Sequence, residues 1–478
     1  MTITPASVRA AVLEQTERTR RCSKAEIERI IEKSELEIIS LESQIDTLIN
    51  LRDSQRACVL ALKYIVSPIR TLPVELLSEI FDLAIEDPTH VEDAHRISQI
   101  CSDWRQVAHS TPRLWSRPVR VDLDNEEDVV DGWRAWMARS TPLPVDISLI
   151  PGHTSDASIL EIVLEVAPRW RSLQVEDEDG TVPLWMVRQL SECRLDSLEE
   201  LSLGIIVYNY ANPTPILFTN VPRLRKLGLF NPDFPTEIDL PWTQLTDLTL
   251  HSRMLDATFE VLAQCPNLIS ASLNVLGWSA LPDVGPNIPV LFNQLRSLHL
   301  FFSVELAPFD YLSTPALQEL HLDSFGTRWT EAHLTAFQLR APDITSLEFS
   351  DSFSLTSDNL VAAIRNSPSL MHLKLRVSKY CFTDDFIRAL CYEDGLTPLA
   401  PCLRHLAVES KKSFSEDVLA GMIASRWWTD TELASFVAPP AVARWTRVEL
   451  TIQPHLSQHF VDVLKDIPSD VLVYILVE

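Results

Sequence analysis

From Ile27 onward the apolar residues fall at alternating steps of four and three: Ile27, Ile31, Ile38, Leu41, Ile45, Leu48, Val59, Leu62 and Val66. Ser34, Arg52 and Gln55 occupy the intervening places of the same series. This spacing predicts one continuous helix over 23–67 carrying a heptad seam. Ile31, Ile38 and Ile45 share one seam position and Leu41 and Leu48 the other, an arrangement that favours a parallel two-stranded coiled coil. The polar seam residues predict a weak homodimer. The alternative is a single helix laid against the segment that follows. Ser67-Pro68 ends the helix, because proline supplies no N–H to it. Residues 1–22 are short of apolar positions and are expected to be a flexible N-terminus.

A second pattern covers 69–116. Thr71 is placed to cap a helix that Pro73 opens, since the first turn loses nothing by a missing N–H. Leu76, Leu77, Ile80, Phe81 and Ala84 then make one apolar face, and Asp87-Pro88 stops it. A second helix carries Ile97, Ile100, Cys101, Trp104, Val107 and Ala108, and Thr111-Pro112 starts a short third turn ending at Leu114-Trp115. A unit of this size buries too little surface to stand comfortably alone. It therefore either caps the next domain or offers apolar surface to another protein.

After Trp115 the period changes. An apolar-x-x-Leu-x-Leu unit recurs, as in Leu198-x-x-Leu201-x-Leu203, Leu224-x-x-Leu227-x-Leu229, Leu295-x-x-Leu298-x-Leu300 and Leu370-x-x-Leu373-x-Leu375. Degenerate copies centre on Leu173, Leu248, Ala271, Leu320, Leu347, Leu406 and Val448. Between Leu173 and Leu373 the step from one centre to the next runs from 21 to 28 residues, and steps of 33 and 42 mark insertions beyond. Val121-x-Leu123 and Ile147-x-Leu149 extend the series backward, and Val471 to Leu476 closes it. Helical patterns fill several gaps, at Ile159 to Val166, Thr258 to Ala263, Asp358 to Arg365 and Asp384 to Leu390, whereas Phe301 to Pro315 is too short and proline-rich for a full helix. A repeated strand-then-helix unit of this kind predicts an α/β solenoid over 117–478 with a C-terminal cap.

Composition narrows the classes. The 46% hydrophobic content is that of a folded protein, and 478 residues exceed one ordinary core. The net charge of −25 lies outside residues 1–70, where 11 basic and 10 acidic side chains nearly cancel. Such a surface repels phosphate backbones and anionic lipid, so neither nucleic acid nor membrane is an expected partner. Eight scattered cysteines form no Cys-x-x-Cys pair and imply reduced thiols. Met1 to Arg21 lacks a secretory apolar core, and the longest apolar run, Val471 to Val477, is too short to span a bilayer. A cytoplasmic or nuclear location is expected.

Leu72-Pro73-x-Glu75-Leu76-Leu77-x-x-Ile80-Phe81, then Ile100-Cys101-x-x-Trp104-Arg105 and a closing Leu114-Trp115, closely resemble an F-box, and the ending STPRLW is similar to the fungal branch of that family. The acidic, proline-containing stretch from Leu83 to His95 departs from the short link found in many members. The repeats resemble leucine-rich repeats with degenerate units and without the usual asparagine, which leaves an irregular ladder as the expectation. Ser425-Arg426-Trp427-Trp428 is similar to a segment near the end of fungal F-box proteins of this type. The resemblance implies that Leu72, Pro73, Leu76, Leu77, Ile80, Ile100 and Trp104 meet a Skp-type adaptor and, through it, a cullin. Phe81 is expected to serve internal packing.

Enzymatic hardware is missing from the sequence. There are ten glycines and no phosphate loop, dinucleotide fingerprint, Gly-x-Ser-x-Gly elbow or His-Glu-x-x-His. No cysteine sits in a context that lowers a thiol pKa. The expectation is a non-enzyme with no cofactor and no metal centre. Because the Leu-x-Leu pairs point into the core, the residues between and beside them line the opposite face of the strands. That face presents Phe230, His251, His299, Phe301, His321, Lys374 and Arg376 as the expected client-binding set. His299 and His321 hold equivalent places in consecutive units, ~5 Å apart if the strands pair, as a metal or pH-sensitive site or as ordinary solvated strand residues. The whole reads as the client-recognition subunit of a Skp–cullin–F-box ubiquitin ligase, with a non-degradative F-box scaffold as the alternative.

Overall fold

The computed structural model describes residues 9–10, 12–14, 16, 24–85, 91–123, 130–152, 158–177, 179–207, 215–230, 238–252, 255–275, 290–302, 307–324, 330–350, 355–377, 381–411, 413–453 and 456–474. The chain divides into two units, Met1–Leu83 and Ala84–Glu478. Most of 1–22 and the Asp87-Pro88 stop lie outside the described residues.

The first unit is dominated by α1, Lys24–Ile65, a helix of 42 residues in which no residue is buried. Its seam residues Ile38, Leu41 and Ile45 are all more than half exposed. A 3-10 turn, Pro68–Thr71, follows. The Thr71 hydroxyl donates to the Pro68 carbonyl at 2.8 Å, so it closes that turn instead of capping the next helix. Leu72 is extended, and α2 (Val74–Ala84) begins beyond Pro73, whose carbonyl accepts the Leu77 N–H at 3.0 Å. This restart bends the path by 98°. No single helix among the described residues is long and apolar enough to cross a membrane.

In the second unit, the helix expected across Ile97 to Ala108 is two: α3, Val91–Gln99, and α4, Ser102–His109. The break falls at Ile100-Cys101. Cys101 is extended, and its sulfur accepts the Trp104 N–H at 3.5 Å, standing where a serine or aspartate cap normally stands. The closing Trp115 is fully buried. Its indole Nε1 donates to the Ala108 carbonyl at 2.7 Å, and its ring meets Trp136 of α5 (Val130–Arg139) edge to face at 4.9 Å. Trp115 thus ties the end of the helical pair to the first crossover of the sheet.

Fourteen strands form one parallel sheet in which every strand pairs with the next in sheet order along the chain. They are β1 Val119–Asp122, β2 Val145–Ile150, β3 Trp170–Val175, β4 Glu200–Leu203, β5 Lys226–Phe230, β6 Asp247–Ser252, β7 Ser270–Val275, β8 Ser297–Phe302, β9 Glu319–Ser324, β10 Ser346–Ser350, β11 His372–Val377, β12 His405–Lys411, β13 Arg447–Gln453 and β14 Leu472–Tyr474. Alternation does the sorting: in β6 and β10 the apolar residues are buried and most of their neighbours half-buried, with Ser252 and Ser350 buried at the strand ends. The repeat centres stand side by side, Leu227 beside Leu248, Leu298 beside Leu320, and Leu347 beside Leu373. One strand differs from expectation. Val119 pairs with Ile147 and Val121 with Leu149, so the first unit is Val119-x-Val121 and Leu123 lies beyond the strand. Three apolar residues in phase gave no means of choosing between the two registers.

Parallel pairing requires a crossover between strands. Helices supply many of these, among them α6 Ser158–Glu165, α7 Leu184–Glu192, α8 Leu255–Ala263, α9 Glu331–Arg340, α10 Ser357–Arg365, α11 Asp384–Leu390, α12 Glu416–Ser425, α13 Asp430–Ser435 and α14 Gln458–Val463. Others use 3-10 turns such as Ala307–Tyr311 and short strand pairs such as Val290–Leu291 with Leu312–Ser313. Despite the missing asparagines, a regular ladder of backbone bonds runs just before the strands: the amides of Arg225, Thr246, Ile269, Arg296, Gln318, Thr345, Met371, Arg404 and Thr446 each donate to the equivalent carbonyl one unit earlier at 2.7–3.0 Å. Buried or half-buried arginines satisfy the carbonyls of the looser connections. Arg169 reaches Leu143 and Met137, Arg340 reaches Leu312 and Phe309, and the fully buried Arg426 reaches Leu390, Ala400 and Leu399.

Candidate interaction surfaces

Two surfaces stand out, one in each unit. On α2, Leu76 is 52% and Ile80 39% exposed, and Pro73 is exposed beside a half-buried Leu72. Leu77 and Phe81, the other phase of the same helix, are buried. Leu77, expected to reach outward with its neighbours, is directed inward instead. In the second unit Ile100, at the break between α3 and α4, is 57% exposed, and Trp104 on α4 is half-buried.

The second surface is the sheet face opposite the leucines. Strand register sets its residues in rows across the sheet. One row reads Thr249, Ser272, His299, His321, Glu348, Lys374, Ala407 and Glu449. A parallel row two residues further along reads Phe230, His251, Asn274, Phe301, Asp323, Ser350, Arg376 and Glu409. All seven residues expected on the client face therefore belong to two adjacent rows of one surface. Phe230 stacks on His251 with ring centroids 4.3 Å apart. Lys374 Nζ lies 2.7 Å from Glu348 Oε1, and Arg376 Nε 3.2 Å from Glu409 Oε2.

At the centre, the rings of His299 and His321 stack in parallel, 4.0 Å between centroids and 6° between planes. Burial lowers the proton affinity of both, and His321 is pushed down to about 4, with His299 beside it adding to the effect. Two imidazoles can stack this closely because both are neutral at physiological pH. Ser272 Oγ lies 3.3 Å from His299 Nδ1, and Ser350 Oγ 3.1 Å from His321 Nε2. His251 is lowered as well, by burial and then by His299.

A cleft of about 520 Å³ opens at the early end of the same face, lined by Asp146, Arg171, Glu199, Glu200, Arg225 and Lys226 among others. Arg171 grips Asp146 across β2 and β3, with Nε 2.9 Å from Oδ1 and Nη2 on Oδ2. That bond raises the affinity of the guanidinium for its proton. This cleft was not anticipated. Arg171 lies in the second place of the Trp170-x-x-Leu173 unit, and Arg225 in the second place of Leu224-x-x-Leu227, so charged residues at that place were the available signal.

Residues 69–121 match the F-box-like family model. The match starts at the residue where the helical pattern was read to begin and runs through α2, α3 and α4 into β1. It supports an F-box protein. F-box domains typically bind Skp-type adaptors, so the match suggests a role in adaptor binding within a Skp–cullin–F-box type ubiquitin ligase. No curated protein matches the chain.

Proposed function

We propose that this chain is the client-recognition subunit of a Skp–cullin–F-box ubiquitin ligase. The observation that carries the reading is the F-box-like match over 69–121, within which Leu76 and Ile80 stand exposed on a helix whose other face is buried. In this reading Leu72, Pro73, Leu76 and Ile80 dock the adaptor, and Ile100 and Trp104 contribute from the second unit. The fourteen-stranded array is a degenerate leucine-rich-repeat solenoid, and its largely half-buried rows from Phe230 to Arg376 select the client. The chain performs no bond-breaking step itself. It contributes by proximity, since holding a client near the charged ubiquitin carrier replaces a bimolecular encounter with an effectively intramolecular one. The exposed heptad seam of α1 pairs weakly with a second copy, and the protein works in the cytoplasm or nucleus.

Affinity purification of the full chain from its native cells tests the reading. Recovery of adaptor together with cullin is expected. Adaptor without cullin would favour a non-degradative scaffold, and recovery of neither would defeat the F-box reading in both forms.

A further inference from the structure

A strand that carries donors at i and i+2 presents both on one face, and an in-register neighbour adds a third donor one strand spacing, ~4.8 Å, away. β9 carries His321 and Asp323 in this relation, and β8 sets His299 directly beside His321. One donor atom from each of the three lies within 4.8 Å of the other two. Supporting hydroxyls orient both rings. His299 Nδ1 is engaged by Ser272 Oγ at 3.3 Å, and His321 Nε2 by Ser350 Oγ at 3.1 Å. In the tautomers whose ring N–H donates to these hydroxyls, the lone pairs lie on His299 Nε2 and His321 Nδ1. His299 Nε2 is buried and has no hydrogen-bond partner among the described residues. A buried polar atom left unpaired is costly unless something outside the chain satisfies it.

We propose that His299, His321 and Asp323 form a binding site for a divalent transition metal of the zinc class, with the fourth coordination position open to solvent. Two imidazoles and one carboxylate are the donor set that borderline ions prefer, whereas magnesium and calcium prefer oxygen donors alone. A tetrahedral ion with bonds of about 2.0–2.2 Å holds its ligands ~3.4 Å apart. Binding requires the present spacing of up to 4.8 Å to close to that value. Of the neighbouring cations, Lys374 is held by Glu348 at 2.7 Å and Arg376 by Glu409 at 3.2 Å. The site does not depend on the F-box reading, since its ligands lie on β8 and β9 and its supporting hydroxyls on β7 and β10.

The test uses the full chain, free of any histidine tag and stripped with a chelator, titrated with zinc in competition with a chromophoric chelator and separately with cobalt. One zinc per chain is expected, with a tetrahedral cobalt spectrum lacking thiolate charge transfer and a raised melting temperature in zinc. Asp323→Asn, which keeps the shape of the side chain, and His299→Ala should each weaken zinc about 100-fold or more, and Ser272→Ala by about 10–100-fold. His251→Ala, one strand pair away, should leave binding unchanged. Absence of zinc binding would overturn the assignment. So would binding that survives His299→Ala/His321→Ala, or a cobalt spectrum with thiolate bands. Because Asp323→Asn is isosteric, unchanged zinc affinity in that variant would also remove Asp323 from the site.

Discussion

Leu76 and Leu77 are adjacent on α2 and occupy opposite environments, the first 52% exposed and the second 6%. Truncating them should therefore have separable effects. Leu77→Ala should cost about 2–4 kcal/mol of stability, as leucine truncation in a core does. Leu76→Ala should stay within about 0.5 kcal/mol, as surface changes do. Urea unfolding followed by circular dichroism checks both. Equal losses would mean that the two faces of α2 are not distinguished as described.

Arg426 is fully buried, lies over the Trp445 ring at 5.4 Å, and donates to carbonyls of Leu390, Ala400 and Leu399. Burial lowers its pKa to about 10, which still leaves it charged at neutral pH. Arg426→Met should orphan those carbonyls and destabilise the C-terminal insertion by about 3 kcal/mol or more. Arg426→Lys should not rescue it, because an ammonium cannot reproduce the planar fork. A urea midpoint unchanged in Arg426→Met would show that the arginine holds nothing together.

The seam of α1 has no buried residue, with Ile38 at 53% and Leu41 at 52% exposed. Isoleucine at one seam position and leucine at the other predicts two-stranded pairing. Sedimentation equilibrium of the full chain should show a concentration-dependent dimer, and Ile38→Asp/Leu41→Asp should shift it to monomer. Monomers at every concentration for the unaltered chain would remove the coiled coil.

Cys265 is buried, and burial pushes its thiol pKa up to about 12, whereas Cys58 and Cys402 are exposed. Since the thiolate is the reactive form, iodoacetamide at pH 8 should label Cys58 and Cys402 in the native chain and Cys265 only after unfolding. Peptide mass spectrometry reads the outcome. Native labelling of Cys265 would contradict a closed core beneath β7.

Strand order and most strand registers were legible because alternation against a buried face is a strong constraint: a slip by one residue would expose every leucine from Leu227 to Leu373. The stacked His299–His321 pair was legible for the same reason. What was not legible had weaker local signals. The helix break at Ile100-Cys101 is hidden because Ile97, Ile100, Cys101 and Trp104 keep helical spacing across it, and cysteine is not a usual cap. α5 begins at the end of an acidic run, Asp122 to Asp131, that reads as solvated chain. β1 offered two registers two residues apart, each with two apolar residues in phase. Leu77 shares a helix face with Leu76 in sequence spacing alone, and tertiary packing separates them. The cleft around Arg171 gathers charged residues at the starts of successive strands, where no repeated motif marks them.

The most direct measurement is the affinity of the purified full chain for a Skp-type adaptor, by isothermal titration calorimetry, with and without Leu72→Ala/Pro73→Ala. Anchors at an interface often contribute more than about 1 kcal/mol each and central ones more than about 2. The double variant should therefore bind the adaptor about ten- to a hundredfold more weakly, at roughly 1.4 kcal/mol per tenfold, while its melting temperature stays that of the unaltered chain. Full affinity in the double variant, or no binding by the unaltered chain, would contradict adaptor docking through this surface.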